Sequence, residues 1–329
     1  MVNFINLLIF KTMKKTTFII AIFMLFATVG YAQQNQKKFN HNFQNSENSV
    51  LDFYRQLSSH TVPGTYASLY ESLPDSLPEL CNLIRSQFIH PYAQLPKYRD
   101  LIPKERWGEM FEYPTVESVL KGLLSYDANG LTKNRRPEDR LILGCWHNSI
   151  LLASVLKNRG TPARIRTGHA TYLMPDFHIS HTICEVWNEQ EKRWMLVDPS
   201  TNMIDFSRDK FDFSNELWLK FQKGEIDPQK YGIPGRYSGL ASILGKLCTD
   251  LASLLGNEYP INQYAPILEK AFYQEVSLSA DEIKMLNKIS ELMKTTDANN
   301  LRKLQEIYNN NPNIQTTKTF DMSKAQTNK

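Results

Sequence analysis

The sequence predicts an α+β fold in which an antiparallel sheet carries a central helix, with helical regions on either side. Apolar residues at helical spacing follow Cys145, from Ile150 to Leu156. β-Branched and aromatic residues dominate 181–187, and a second apolar segment, 193–198, follows after a short polar turn. Two such segments joined by a turn are typical of an antiparallel hairpin, and helix-start signals before and after this region predict the flanking helices.

Cys145 is predicted to stand at a helix N-terminus. The apolar run that follows it ends at Asn158-Arg159-Gly160, a helix stop signal. At a helix N-terminus, unpaired backbone N–H groups and the positive end of the helix dipole favour a thiolate over a thiol. Cys145 is therefore a candidate nucleophile.

His181 and Asp198 are predicted to lie close together. In an antiparallel hairpin of 181–187 with 193–198, the first residue of one strand pairs with the last residue of the other. Strand alternation places Asp198 on a face with large apolar side chains, where a carboxylate needs a partner. With Cys145, these residues form a candidate relay in which the imidazole moves a proton and the carboxylate orients the imidazole.

The other histidines and Glu185 have competing interpretations. His178 is an alternative base, although it is predicted to precede the strand in a loop, while His147 and His169 are predicted to be structural or exposed. Glu185 shares a strand face with His181 and either orients groups of the site or pairs with a buried arginine such as Arg164.

The remaining cysteines and tryptophans are predicted to have structural roles. Cys184 alternates to the face opposite His181 and is predicted to be core, and Trp187 and Trp194 to be cross-strand packing. Cys81 and Cys248 remain, and whether they form a disulfide stays open.

Four sequence segments resemble the core of the transglutaminase-like superfamily, whose members have a papain-like Cys-His-Asp arrangement. They are Gly144-Cys145, the stretch from Ser149 to Arg164, His181-x-x-x-Glu185-Val-Trp187, and Trp194-x-x-Val-Asp198-Pro199. The resemblance covers about 141–205, in the family's order, and is greatest to bacterial members of unassigned substrate. It implies Cys145 as nucleophile at a helix start, His181 as general base and Asp198 as its orienting partner on adjacent strands.

Together these residues predict a cysteine-dependent enzyme that transfers an acyl group from an amide or peptide bond through a thioester. The class includes peptidases, amidases and transglutaminases, and the expected substrates are proteins, peptides or cell-wall amides. One alternative is a catalytically inactive binding module with the same fold. Another is an acyltransferase with an activated thioester donor, since arylamine acetyltransferases share the Cys-His-Asp logic. No cofactor or metal is expected, because there is no His-x-x-x-His or Cys-x-x-Cys pair and no glycine-rich phosphate loop.

The N-terminus predicts export. Lys14 and Lys15 precede an apolar run from Phe18 to Val29, and Gly30-Tyr31-Ala32 completes the layout of a secretory signal peptide. This predicts translation from Met13, cleavage after Ala32 and a periplasmic or secreted protein with no membrane anchor after processing. The net charge of +4 and the lack of a basic cluster among aromatics do not predict a nucleic-acid partner.

Composition and spacing divide the chain into segments. Capping-box patterns at Ser76–Glu79 and Ser279–Glu282 predict helix starts. The stretch 92–114, rich in proline and aromatics, either packs under a long loop or walls the active-site cleft. The predicted segments are a signal peptide (1–32), a mobile leader (33–48), a helical N-terminal region (49–126), the core (127–205), a helical C-terminal extension (206–311) and a disordered tail (312–329).

Overall fold

The computed structural model describes residues 47–273 and 277–320 of the 329-residue chain. It is a mixed α+β fold with a curled, mostly antiparallel sheet and helices around it, which confirms the predicted class. The predicted signal peptide, residues 1–32, lies outside the described residues. So do most of the predicted leader, 33–48, and the last part of the predicted tail, 321–329.

The elements have the following bounds. The α-helices are α1 (Glu47–Arg55), α2 (Leu77–Ser86), α3 (Leu95–Tyr98), α4 (Val116–Tyr126), α5 (Cys145–Asn158), α6 (Ser214–Gln222), α7 (Leu240–Leu254), α8 (Leu268–Tyr273), α9 (Ala280–Leu292) and α10 (Ala298–Asn310). The strands are β1 (Ala163–Ala170), β2 (His178–Asn188), β3 (Arg193–Asp198), β4 (Met203–Ile204), β5 (Phe211–Phe213), β6 (Tyr231–Ile233), β7 (Tyr237–Ser238), β8 (Gln263–Tyr264) and β9 (Lys318–Thr319). None of these helices combines the length and the apolar character that crossing a membrane requires.

Helix α5 lies at the centre of the fold. Its apolar spacing predicts a helix, but the structure goes further and buries every residue from Trp146 to Lys157. Two polar side chains in the second half of the buried helix are paired, since Ser154 bonds the Tyr70 hydroxyl at 2.8 Å and Lys157 pairs with Glu258 at 3.1 Å. A helix without a solvent face must be covered on all sides, so distant parts of the chain pack around it.

The main sheet has the order β4-β3-β2-β1-β5, and each neighbouring pair on this path is antiparallel. Strand β6 adds to the start of β2 in parallel, and β7 pairs with β6. A separate pair, β8 with β9, lies near the end of the described chain.

One edge of β2 is shared by two partners with a gap between them. Strand β6 pairs with β2 at 178–179, and β3 pairs with it at 184–188. Residues 180–183 lie between these two ladders. The first half of α5 lies against the gap, where the Ser149 hydroxyl donates to the Thr182 carbonyl at 3.1 Å. This arrangement directs the start of α5 toward the middle of β2.

The regions predicted to flank the core contribute to it directly. The segment 206–311 supplies helices as predicted, but it also supplies three strands of the main sheet. In the segment 49–126, Leu80 of α2 and Leu120 of α4 share one hydrophobic cluster with α5, while Tyr54 of α1 packs among the C-terminal helices. Both regions pack against the fully buried α5 and the sheet, and the C-terminal helices also form a hydrophobic cluster that includes residues of α1.

Of the two predicted capping boxes, only the second is formed. At the start of α9, Glu282 N–H donates to Ser279 Oγ at 3.2 Å, and Ser279 N–H donates to the Glu282 carboxylate at 2.7 Å. At the start of α2, Ser76 is the N-cap residue but its side chain makes no capping bond. Pro78 at the second helical position lacks an N–H, which removes one of the two amides that a capping hydroxyl accepts.

Candidate active site

Cys145 is the first residue of α5 and follows Gly144, whose backbone is extended (φ −96°, ψ −167°). It is the one cysteine of the four that is not fully buried. The N–H groups of the first helical turn have no acceptor within the helix, and their dipoles point toward this end. The predicted position of the thiol at a helix N-terminus agrees with the structure.

His181 and Asp198 are brought together, but not by the predicted pairing. The hairpin register ends with Cys184 opposite Val197, and Asp198 continues into a pair with Met203 of β4. His181 and Asp198 are therefore not direct cross-strand partners; they meet on a diagonal across the gap in the sheet. Nε2 of His181 lies 2.9 Å from Oδ2 of Asp198, and both side chains are buried.

Asp198 is the most heavily bonded carboxylate of the site. Its Oδ2 also accepts from the Tyr172 hydroxyl and the Thr201 hydroxyl, both at 2.7 Å, and its Oδ1 accepts from the Ser200 N–H at 2.8 Å. Burial by itself raises the pKa of Asp198, but the charge of His181 and these donors hold it well below its usual range. Tyr172 and Thr201 were not identified from the sequence as site residues.

The Cys145 thiol and the His181 ring form a charged pair. Burial raises the pKa of Cys145, yet the charge of His181, hydrogen bonds with His181 and His90, and the charge of Lys246 bring it well below its ordinary value. Burial lowers the pKa of His181, but the Asp198 carboxylate and the Cys145 thiolate outweigh burial and raise it to about 10. Because Nε2 is bonded to Asp198, Nδ1 is left to face the sulfur. Both shifts favour the thiolate form of Cys145 and the imidazolium form of His181.

His90 also belongs to the site and was missed in the sequence. It lies just before the proline-rich stretch, more than fifty residues before Cys145, and no local motif marks it. Main-chain bonds link Ile89 N–H to Leu141 O (2.8 Å) and Leu143 N–H to Ile89 O (3.1 Å), so this segment runs beside the one that enters α5. That pairing places His90 next to Cys145.

The other histidines are held elsewhere. His178 is the first residue of β2, not part of a loop as predicted, and its Nδ1 lies 2.5 Å from Oδ2 of Asp212. His147 is buried, and burial lowers its pKa to about 3. His169 is also buried, with Nε2 2.8 Å from Ser242 Oγ. His147 and His169 are therefore structural rather than exposed.

Glu185 forms a buried ion pair with arginines and does not orient groups of the site, so the second of the two predicted roles agrees with the structure. Its Oε2 accepts from Arg164 Nε at 2.6 Å and from Arg166 at 3.0 Å. Burial raises the pKa of Glu185, but the two arginines outweigh burial and lower the pKa to about 2. The rings of Trp187 and Trp194 pack edge to face across the hairpin, with centroids 5.4 Å apart.

The three other cysteines lie in the hydrophobic core. Cys81 and Cys184 are in the cluster around α5, and Cys248 is in the cluster of the C-terminal helices. All three are free thiols, so the open question of a bond between Cys81 and Cys248 is answered in the negative. Cys145 is left as the accessible thiol.

In the proline-rich stretch 92–114, side chains mainly pack beneath the loop that this stretch forms. Trp107 joins the small cluster around Ile102, and its indole N–H donates to the Ile102 carbonyl at 3.2 Å. Tyr92 is different, because its side chain is exposed, lies near Cys145 and carries the Arg236 guanidinium 4.4 Å from the ring centroid. It forms part of the rim of the site.

A cavity of about 540 Å³ lies apart from these residues. Its lining includes Arg164, Arg166, Glu185, Trp194 and Arg208, and none of Cys145, His181 and Asp198. The buried arginines there are already paired with carboxylates. Within 47–273 and 277–320, no group of three or more His, Cys, Asp and Glu side chains is arranged to hold a metal ion.

Comparison of the chain with models of known protein families, with curated proteins and with solved structures finds no match.

Proposed function

We propose that the protein is a cysteine-dependent acyl-transfer enzyme that acts on amide or peptide bonds through a thioester. One observation carries this proposal: a thiol at a helix N-terminus contacts His181, whose other ring nitrogen is bonded to the buried Asp198 at 2.9 Å. Nucleophile, base and orienting group are thus in contact in the order that acyl transfer requires.

The reaction has two halves. The Cys145 thiolate attacks the carbonyl carbon, and the tetrahedral intermediate collapses when the His181 imidazolium gives its proton to the departing amine. A thioester and a neutral imidazole remain. Water or a second amine then attacks the thioester, His181 takes its proton, and the thiolate leaves. Asp198 keeps Nδ1 directed at the reacting atoms and stabilises the imidazolium.

We also propose that the site stands in a transglutaminase-like core. The supporting features are a cysteine at the start of a buried helix, an antiparallel sheet against that helix, and His181 and Asp198 on adjacent strands in that chain order. The predicted signal peptide favours a periplasmic or secreted enzyme whose substrates are proteins, peptides or cell-wall amides.

The first test is the pH dependence of Cys145 alkylation by limiting iodoacetamide, followed by intact mass. In the wild type, the lowered pKa of Cys145 keeps the rate close to its plateau from pH 9 down to pH 6. In His181→Ala the pKa returns toward that of a free thiol near 8.5, so the rate at pH 6 falls roughly two orders of magnitude below that variant's own plateau. His178→Ala is the matched control and keeps the wild-type profile.

The second test asks which acceptor resolves the thioester. The protein is incubated with p-nitrophenyl acetate, and the acetyl adduct on Cys145 is followed by mass with water alone or with a primary amine present. Amide product in the presence of the amine indicates transfer to amines, and free acid in both conditions indicates hydrolysis. Absence of the adduct, together with an ordinary thiol profile, would leave the inactive binding module as the better description.

A further inference from the structure

The imidazole of a second histidine, His90, lies against the Cys145 sulfur. His90 belongs to a segment that contains none of Cys145, His181 and Asp198. His90 is half-buried, hydrogen-bonds the Cys145 side chain, and has its Nε2 3.8 Å from the position that a Cβ on Gly144 would occupy. The acyl-transfer steps above give this side chain no role.

The proton on the His90 ring is assigned by its neighbours. The backbone N–H groups of Tyr92 and Ala93 both donate to Nδ1, at 3.3 Å and 3.2 Å. An imidazole nitrogen that accepts hydrogen bonds carries no proton, so the hydrogen is on Nε2. His90 therefore presents an N–H donor to Cys145. It is not positioned as a base, because accepting a proton at Nε2 is possible only if Nδ1 carries the existing one and loses both amide bonds.

Hydrogen bonds within the surrounding segment hold the His90 ring in place. The backbone N–H of His90 donates to Oε1 of Gln94 at 2.8 Å, which closes the turn around the imidazole ring. Three residues earlier, Gln87 accepts from the buried Arg135 at 2.8 Å and donates to the Thr132 carbonyl at 2.6 Å. Fixed donors of this kind stabilise developing charge without reorganising during the reaction.

We propose that His90 is a catalytic residue whose Nε2–H donates to the oxyanion of the tetrahedral intermediate formed on Cys145. The inference rests on the proposed acyl-transfer function and adds a named side chain to it. In the resting protein the bond goes to the sulfur. Once the sulfur has attacked a carbonyl, the oxyanion is two bonds from it, within reach of the same donor. A backbone N–H of the first turn of α5 supplies the second donor.

Two electrophiles separate this role from simple activation of the thiol. p-Nitrophenyl acetate reacts through a tetrahedral oxyanion, whereas iodoacetamide reacts by displacement at a saturated carbon and forms no oxyanion. In His90→Ala, acylation by the ester is expected to fall roughly 100-fold, the usual loss for one oxyanion donor. Alkylation by iodoacetamide, compared at each protein's own pH plateau, is expected to stay within about threefold, since thiolate nucleophilicity changes little.

Two further variants complete the test. His90→Gln keeps an N–H donor at a similar position and is expected to recover a large part of the acylation rate, with a wild-type melting temperature as the check of folding. His60→Gln changes a half-buried histidine outside the site and leaves both reactions at the wild-type rate. Parallel losses of acylation and alkylation in His90→Ala overturn the proposal, because the ring would then act only on the thiol. A wild-type protein that is alkylated but never acylated overturns the acyl-transfer function itself, and this inference with it.

Discussion

Asp198 shows how a single residue can hold a site together. Its carboxylate has no exposed surface, and four donors from different parts of the chain converge on its two oxygens. A buried carboxylate with this many donors stays ionised, and an ionised neighbour is what keeps His181 protonated. The Tyr172 hydroxyl comes from the segment that follows β1, and it competes with His181 for the same oxygen.

At this scale we predict the effect of Tyr172→Phe on the titration of His181. With one donor fewer, Oδ2 of Asp198 carries more negative charge toward the imidazolium, so the pKa of His181 rises above its value of about 10. The measurement is an NMR titration of the imidazole signals. Tyr70→Phe, which removes a buried hydroxyl bonded to Ser154, is the control and leaves the titration unchanged. A fall in the pKa of His181 contradicts the prediction.

At the scale of elements, α7 is attached to β1 by a buried carboxylate. Asp250 accepts two bonds from Arg166, both at 3.0 Å, together with the Thr167 N–H at 2.9 Å and the Ser214 hydroxyl at 2.7 Å. The Thr167 amide lies in the part of β1 that is not paired with β5. Asp250 therefore joins the sheet, α6 and α7 in one network around a buried arginine.

We expect Asp250→Asn to destabilise the protein strongly. Removing the charge of Asp250 leaves Arg166 with Glu185 alone, a carboxylate that Arg166 shares with Arg164, and breaking a buried ion pair in this way costs about 3–5 kcal/mol. For a chain of this size that loss lowers the melting temperature by roughly 4–7 °C. The check is thermal unfolding followed by circular dichroism, beside Asp52→Asn, whose partner Arg55 is on the surface. Melting temperatures that agree within a degree or two would refute the energetic role of this network.

The whole molecule has no separable core around the site. The predicted core, 127–205, contains α5 and β1 to β4, but β5, β6 and β7 come from later in the chain. Buried residues of α2 and α4 complete the cluster on α5, and α7 covers β1 through the Asp250 network. His90, which contacts Cys145, also lies outside 127–205.

The fragment 127–205 is therefore expected not to fold by itself, whereas a fragment that spans 47–320 is expected to fold. The shorter fragment exposes the apolar surface of α5 and leaves Arg166 without Asp250, and both changes disfavour a compact state. The comparison is made by dispersion of amide NMR signals and by cooperativity of unfolding. A cooperative transition in the short fragment would show that the flanking helices are dispensable.

Local pattern was sufficient for much of this architecture. The sequence by itself determined the helix that begins at Cys145, the hairpin of β2 and β3, and the capped start of α9, because each depends on periodicity or capping within a few residues. Cys145, His181 and Asp198 were also singled out from these segments. Cys145 begins α5 and Asp198 ends β3, whereas His181 lies three residues inside β2 and not at its start.

Only the tertiary structure decided how the site is completed. The sequence contains no local sign that His90 is beside Cys145 or that Tyr172 and Thr201 bond Asp198, because these contacts join parts of the chain that no repeat or motif links. The diagonal meeting of His181 and Asp198 likewise depends on the gap between β3 and β6. Long-range contacts of this kind depend on which helices pack on each face of the sheet and which strands pair along each edge. The residue pattern within a single segment does not specify these arrangements, because they involve segments that are far apart in the chain.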